Sequence, residues 1–98
     1  MKKIYCSKII TDMDGKPLKN GESEVTVGRV IAKILSETKT KFDALKAWDM
    51  AQRFYKGAEI EIDDSDFETL KTEIGSNTMF IPLVLGQILK SFIEGEKQ

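Results

Sequence analysis

The segment "SEVTVGRVIAKILSE", Ser23 to Glu37, is where the hydrophobic pattern of the chain changes from that of a strand to that of a helix. Apolar side chains recur in it at i, i+3, i+4, i+7 and i+8, which is the spacing of one helical stripe. Thr26 is well placed as the N-cap, and Gly28 in the first turn leaves room for another backbone to approach closely. The segment therefore predicts an amphipathic helix whose packing stripe comprises Val27, Val30, Ile31, Ile34 and Leu35.

A second helix is predicted from about Lys41 to Lys56, after the connector "SETKT". Thr40 and Asp43 resemble a capping box at its start, and Gly57 is suited to end it. We expect this helix to be the central element of the fold and its three aromatic stripe residues to be buried. The predicted stripe comprises Ala44, Ala47, Trp48, Ala51, Phe54 and Tyr55.

The segment before the first helix predicts a small β-hairpin. "KKIYCSKII" is rich in β-branched and aromatic residues, so a strand is expected from about Lys3 to Ile10. After "TDMDG" the chain returns as a short second strand over residues 16–18. The two aspartates before Gly15 also resemble a calcium loop, but no register supplies the glutamate that an EF-hand needs at position 12. Asp and Gly suit a turn, so we predict a turn here and no metal site.

The last third of the chain predicts a strand and two helices. "AEIEI", residues 58–62, alternates with the period of a strand. Ser65 and Glu68 form a capping-box pattern ahead of a helix that carries Phe67, Leu70 and Ile74 and stops at Gly75. Pro82 suits the first position of a final helix that ends near Gly95. One face of that helix comprises Ile81, Val84, Leu85, Ile88, Leu89 and Phe92.

These elements predict a single α+β domain over residues 1–98, mostly helical, with an N-terminal β-hairpin, about four helices and one short strand in the order ββααβαα. A chain of 98 residues is long enough for one core. No apolar run is as long as a membrane span requires, and "MKKIYCSKII" lacks the pattern of a signal peptide. We therefore expect a cytoplasmic protein with no membrane association.

Composition argues against most enzyme classes. The chain has no histidine and one cysteine, Cys6, so His-dependent catalysis, a thiolate metal cluster and an internal disulfide are excluded. Cys6 is expected to be a small buried apolar residue. "GRVIAK" lacks the second glycine and the Lys-Ser/Thr ending of a phosphate-binding loop. We expect no cofactor, no metal and no enzymatic activity.

Charge is unevenly distributed along the chain. Residues 1–57 hold twelve Lys or Arg against seven Asp or Glu, whereas residues 58–98 hold three against nine. An acidic segment is a candidate site for a basic partner, although acidic residues are also common at helix starts. It comprises Glu59, Glu61, Asp63, Asp64, Asp66 and Glu68. A basic face is an alternative candidate for nucleic-acid binding, although a pI near 5.5 is far from that of a simple DNA-binding protein. It comprises Lys33, Lys39, Lys41, Lys46, Arg53 and Lys56.

The succession "ITDMDGKPL", "EVTVGRVIAKIL", "ALKAWDMAQRF", "AEIEIDDSDFETLKTEI" and "FIPLVLGQILKSF" resembles small proteins of tailed phages and prophages that are described only as uncharacterised. The resemblance covers nearly the full chain and implies a phage-encoded cytoplasmic accessory protein that acts by binding. It brings no site residues. Our first hypothesis is a module that binds a host or phage protein through an exposed apolar patch or the acidic segment, with a homodimer as one possibility. The alternative is nucleic-acid binding.

Overall fold

The structure is a computed structural model that describes residues 2–38, 40–57, 59–77 and 80–96. The predicted class is confirmed, because the described residues form an α+β fold that is mostly helical. Its elements in chain order are β1 (Lys2–Tyr5), β2 (Lys19–Asn20), β3 (Ser23–Glu24), α1 (Val27–Glu37), α2 (Ala44–Lys56), β4 (Glu59–Ile62), α3 (Asp64–Gly75) and α4 (Pro82–Glu96).

Helix α1 begins where the sequence predicts and buries seven of its eleven residues. The Thr26 side chain accepts a hydrogen bond from the Arg29 N–H, as expected of an N-cap. The N–H groups of Val27 and Gly28 donate to the carbonyls of Lys8 and Cys6, both at 2.9 Å. Donors that a helix start normally leaves unpaired are thus satisfied by the N-terminal segment. All five residues of the predicted stripe are buried.

Helix α2 packs against α1, but with a different face from the one predicted. Its buried residues are Ala47, Met50, Ala51 and Phe54. Trp48 and Tyr55, which we expected to be buried, remain 56% and 59% exposed. Ala47 and Ala51 belong equally to the predicted stripe and to one rotated toward Met50, and the structure uses the rotated stripe, which leaves Ala44 exposed. The prediction was therefore right about Phe54 and wrong about the other two aromatic residues.

The N-terminal strand pairs with a distant partner. β1 runs antiparallel to β4, with Ile4 opposite Ile60. The first strand therefore ends at Tyr5, and the predicted continuation to Ile10 is wrong because residues 6 and 7 turn toward the start of α1. The hairpin itself is reduced to an isolated bridge between Thr11 and Pro17. β2 and β3 form a second, two-residue hairpin ladder.

The predicted turn around Asp12 is confirmed. Asp12 Oδ1 accepts the N–H groups of Asp14 and Lys16, and Gly15 has a φ of +83°, a conformation that favours glycine. Gln87 of α4 fastens this segment to the rest of the fold. Its side-chain amide donates to the Thr11 carbonyl at 2.6 Å and accepts from the Thr11 N–H at 2.9 Å. One side chain thus makes both hydrogen bonds that a neighbouring strand would make.

The N-cap residues predicted for α2 and α3 are both wrong. α2 begins at Ala44 with Asp43 as its N-cap, and Asp43 accepts from the Lys46 N–H. α3 begins at Asp64 with Asp63 as its N-cap. The observed N-cap of α2 lies three residues after Thr40, and that of α3 lies two residues before Ser65. A free carboxylate is at least as good an acceptor for these N–H groups as a hydroxyl.

α3 and α4 close the core on the side of the β1–β4 sheet. Phe67 and Phe92 stack with ring centroids 5.0 Å apart. Of the predicted α4 face, Ile81 is 62% exposed because it precedes the helix, and Leu89 is half-buried. The remaining members are buried, namely Val84, Leu85, Ile88 and Phe92. Among the described residues, no helix has the length and apolar character needed to cross a bilayer.

Candidate interaction surface

One face of α2 exposes a row of large apolar side chains. Successive residues of a helix are rotated by about 100°, so positions 45, 48, 52 and 55 share one side. Leu45 is 79% exposed, and Trp48 and Tyr55 are more than half exposed. We call this surface, Leu45, Trp48, Gln52 and Tyr55, the α2 face. Single exposed apolar residues are common on protein surfaces, but a contiguous row of this kind is typical of contact sites.

Tyr55 connects the α2 face to a groove along α1. The Arg29 guanidinium lies over the Tyr55 ring, 5.5 Å from its centroid, in a cation–π contact. The groove encloses about 580 Å³, and its apolar walls include Leu18, Val25 and Phe80. Because Arg29 comes from α1 and Tyr55 from α2, the contact holds the aromatic ring at the junction of the two helices.

The structure disperses the predicted acidic segment over β4 and α3. Glu59 and Glu61 are exposed on β4, and Glu68 is exposed on α3. Asp63 caps α3 by accepting the Asp66 N–H at 2.7 Å, and Asp64 stands in the first turn. Three of the six acidic residues therefore lie at a helix start, where negative charge is favourable.

The predicted basic face is interleaved with acidic groups. Lys46 Nζ lies 2.8 Å from Asp66 Oδ1, and Lys33 Nζ lies 3.7 Å from Glu37 Oε2. Arg53 donates to the Glu61 carbonyl at 3.3 Å. Lys56 lines a shallow concavity together with two glutamates of β4. Lys41 lies before α2 with its N–H donating to the Glu73 carboxylate, and Lys39 lies outside the described residues, as do Ala58 and Met79.

The two differently charged parts of the chain pair within one molecule. Lys3 on β1 lies 3.2 Å from Glu59 on β4, and Lys46 on α2 pairs with Asp66 on α3. The pKa of each lysine is raised, chiefly by the hydrogen bond to its carboxylate partner. These exposed ion pairs contribute little to stability. They do, however, bring opposite charges together on the surface that includes both predicted charged sites.

The sequence analysis missed Leu45, and it placed Trp48 and Tyr55 in the core. A signal for the observed arrangement does exist: Ala47, Met50, Ala51 and Phe54 stand at i, i+3, i+4 and i+7. That stripe alone fills one helix face, which leaves the aromatic residues of the broader stripe without a place in the core. The two stripes share Ala47 and Ala51, so local spacing alone does not decide which of them packs in the core.

Cys6 is 2% exposed and packs in the core as predicted. Burial raises the pKa of its thiol to about 11, so the reactive thiolate is disfavoured. Across the described parts of the chain, acidic and cysteine side chains do not gather in threes as they would around a metal ion.

Comparison of the chain with protein-family models, with curated proteins and with solved structures found no match.

Proposed function

We propose that this chain is a non-enzymatic protein-interaction module and that the α2 face is its docking surface. The observation that carries the proposal is the exposure of Leu45, Trp48 and Tyr55 in one row on a helix whose opposite side packs in the core. Burying a large apolar side chain contributes about 1.5–3 kcal/mol. Three such side chains supply the apolar centre from which protein interfaces draw most of their binding energy, and Trp and Tyr are the residue types enriched there.

The sequence resemblance supports a biological setting for this module. The small phage and prophage proteins that it resembles are described only as uncharacterised, so the resemblance implies context alone: we propose that the chain is a phage-encoded accessory protein that works in the cytoplasm. Its partner is then a protein made by the phage or by its host. The acidic segment contributes charge beside the docking surface and no apolar contact of its own.

The charge arrangement favours a protein over a nucleic acid as the partner. Lys33 and Lys46 each face a carboxylate, and Arg53 is held by a carbonyl of β4. Glu59 and Glu61 stand in the same concavity as Lys56. A phosphate backbone would meet these acidic groups together with the lysines, which weakens the electrostatic attraction on which nucleic-acid affinity depends.

The experiment compares a face variant with a matched control in affinity capture from a bacterial lysate. Leu45→Glu places a charge on the α2 face, whereas Met13→Glu replaces an 88% exposed apolar residue in the turn around Asp12. Each captured protein is then purified and titrated against the chain while the emission of Trp48, the single tryptophan, is followed. We expect binding by the wild type and Met13→Glu, a blue shift of the emission, and an affinity at least about tenfold lower for Leu45→Glu.

Equal binding by all three proteins would contradict the proposal. A parallel titration with DNA and RNA at several salt concentrations tests the alternative. Binding that weakens steeply with salt and is abolished by Lys56→Glu would favour the nucleic-acid function instead.

A further inference from the structure

We propose that the partner of the α2 face is a second copy of this chain, and that the two α2 helices pack antiparallel about a two-fold axis near residue 50. This inference rests on the proposed function, because it names the occupant of the same surface. It follows from two features of α2: the spacing of its exposed row and the order of its charges along the helix.

The exposed row is symmetric about its own midpoint. Positions 45 and 55 each lie five residues from position 50, on opposite sides of it. Positions 48 and 52 each lie two residues from it. At about 1.5 Å per residue, Leu45 and Tyr55 lie about 7.5 Å on either side of the midpoint, and Trp48 and Gln52 about 3 Å. A two-fold axis there brings Leu45 level with Tyr55 of the second copy, and Trp48 level with Gln52.

This pairing satisfies the requirement of a two-fold interface, in which one surface must be complementary to itself. Leu45 supplies an aliphatic contact for the face of the Tyr55 ring, which Arg29 already holds in place. The Gln52 amide lies beside the Trp48 indole, whose N–H needs an acceptor once it is buried. Each large apolar side chain of the row therefore gains a neighbour of suitable chemistry, and does so twice.

The charges of α2 favour the antiparallel orientation. Asp49 stands in the first half of α2, where Lys46 is already paired with Asp66, whereas Arg53 and Lys56 stand in the last turn. Antiparallel pairing sets Asp49 nearly level with Arg53 of the second copy. Parallel pairing would instead align the two basic ends. The helix dipoles are also opposed in the antiparallel pair, which is their favourable arrangement.

The first test measures the oligomeric state of the full chain by sedimentation equilibrium over a wide concentration range. We expect a reversible dimer, with Trp48 emission that shifts to longer wavelength on dilution. Leu45→Glu is expected to raise the dissociation constant at least about tenfold, and Met13→Glu to leave it unchanged. Helical circular dichroism of each variant confirms that the fold is intact, since both positions are largely exposed.

The second test determines the orientation by disulfide cross-linking. Leu45→Cys and Tyr55→Cys are prepared as separate proteins, and Cys6 stays in place because it is buried. Antiparallel pairing predicts a cross-linked dimer in the mixture of the two variants. Neither variant alone should cross-link, because like positions are about 15 Å apart along the axis. Cross-linking of Leu45→Cys with itself would overturn the antiparallel arrangement.

The outcomes also separate this inference from the proposed function. If the wild type is monomeric and binds another protein through Leu45, the dimer inference is wrong and the proposed docking function is supported. A monomeric wild type whose binding is indifferent to Leu45→Glu overturns both. A dimer that tolerates Leu45→Glu places the two-fold contact elsewhere and also overturns the inference.

Discussion

Gly28 is the residue at which three parts of the chain come closest together. A Cβ atom at this position would lie 2.5 Å from the Cys6 Cβ and 2.5 Å from the Phe54 carbonyl oxygen. Neither neighbour is the end of a flexible side chain, so the approach of α2 to α1 depends on the absence of a side chain here. The sequence predicted a close approach at this glycine, and the structure identifies the neighbours.

Gly28→Ala is expected to destabilise the fold by about 2 kcal/mol or more, because the steric conflict exceeds the roughly 1 kcal/mol that alanine gains in helix propensity. Urea unfolding measures the change. Gly86→Ala in α4 is the matched control, since a Cβ there meets nothing within 4 Å. It should be neutral or stabilise by up to about 1 kcal/mol. Equal effects of the two substitutions would contradict the close contact at Gly28.

Because of Cys6, the stability of the fold is expected to fall as the pH becomes alkaline. Burial raises the pKa of its thiol from 9.0 to about 11, so the unfolded state loses this proton first as the pH rises. The contribution of the buried thiol to the free energy of unfolding is therefore complete below pH 9. It is lost between about pH 9 and 11, and the total loss is about 2–3 kcal/mol. Unfolding free energies of the wild type and Cys6→Ala, measured across this range, should converge at high pH. Parallel curves would show that the thiol does not titrate with unfolding.

At the scale of elements, sequence reasoning succeeded where one pattern dominated. α1 has a single unbroken stripe and a clear N-cap, and its predicted start and burial are confirmed. α2 has two overlapping stripes that share alanines, so its orientation could not be derived from local spacing. The pairing of β1 with β4 also could not be predicted, because strand partners far apart in sequence leave no local signal. The α2 face was missed for the same reason, because the wrong choice of stripe placed Trp48 and Tyr55 in the core.

The N-cap of α3 offers a direct comparison between the sequence prediction and the structure. Asp63→Ala removes the carboxylate that accepts the Asp66 N–H, and we expect it to cost about 1 kcal/mol. Ser65→Ala alters the residue that the capping-box pattern favoured, and should change stability by less than about 0.5 kcal/mol. Thermal unfolding of both variants provides the measurement. The reverse order of effects would restore the original prediction.

At the scale of the whole molecule, the N-terminal segment is tied into the fold at several points. It pairs with β4, satisfies the first N–H groups of α1 and is held by Gln87 of α4. These ties come from three regions of the sequence that are otherwise far apart. The segment therefore links the α1–α2 pair to the C-terminal helices.

Gln87→Glu tests the tie to α4 with little change in shape. A carboxylate cannot donate to the Thr11 carbonyl, so one partly buried hydrogen bond is lost and two acceptors face each other. We expect a loss of about 1–3 kcal/mol at neutral pH, measured by urea unfolding, that is partly recovered when the carboxyl is protonated at acidic pH. Met13→Glu, which adds a carboxylate at an 88% exposed position, is the control and should leave the unfolding free energy nearly unchanged. A pH-independent loss would assign the effect to packing.

The pairing of β1 with β4 also bears on the order in which the protein folds. During synthesis β1 emerges first, but its partner strand is made only after both α1 and α2. At about 5–20 residues per second, this strand waits roughly 3–10 seconds for its partner. The α1–α2 pair needs only short-range contacts and can form in that interval, which shortens the loop that β1 and β4 must close. We therefore expect the helical pair to be the folding nucleus and the β1–β4 sheet to form after it.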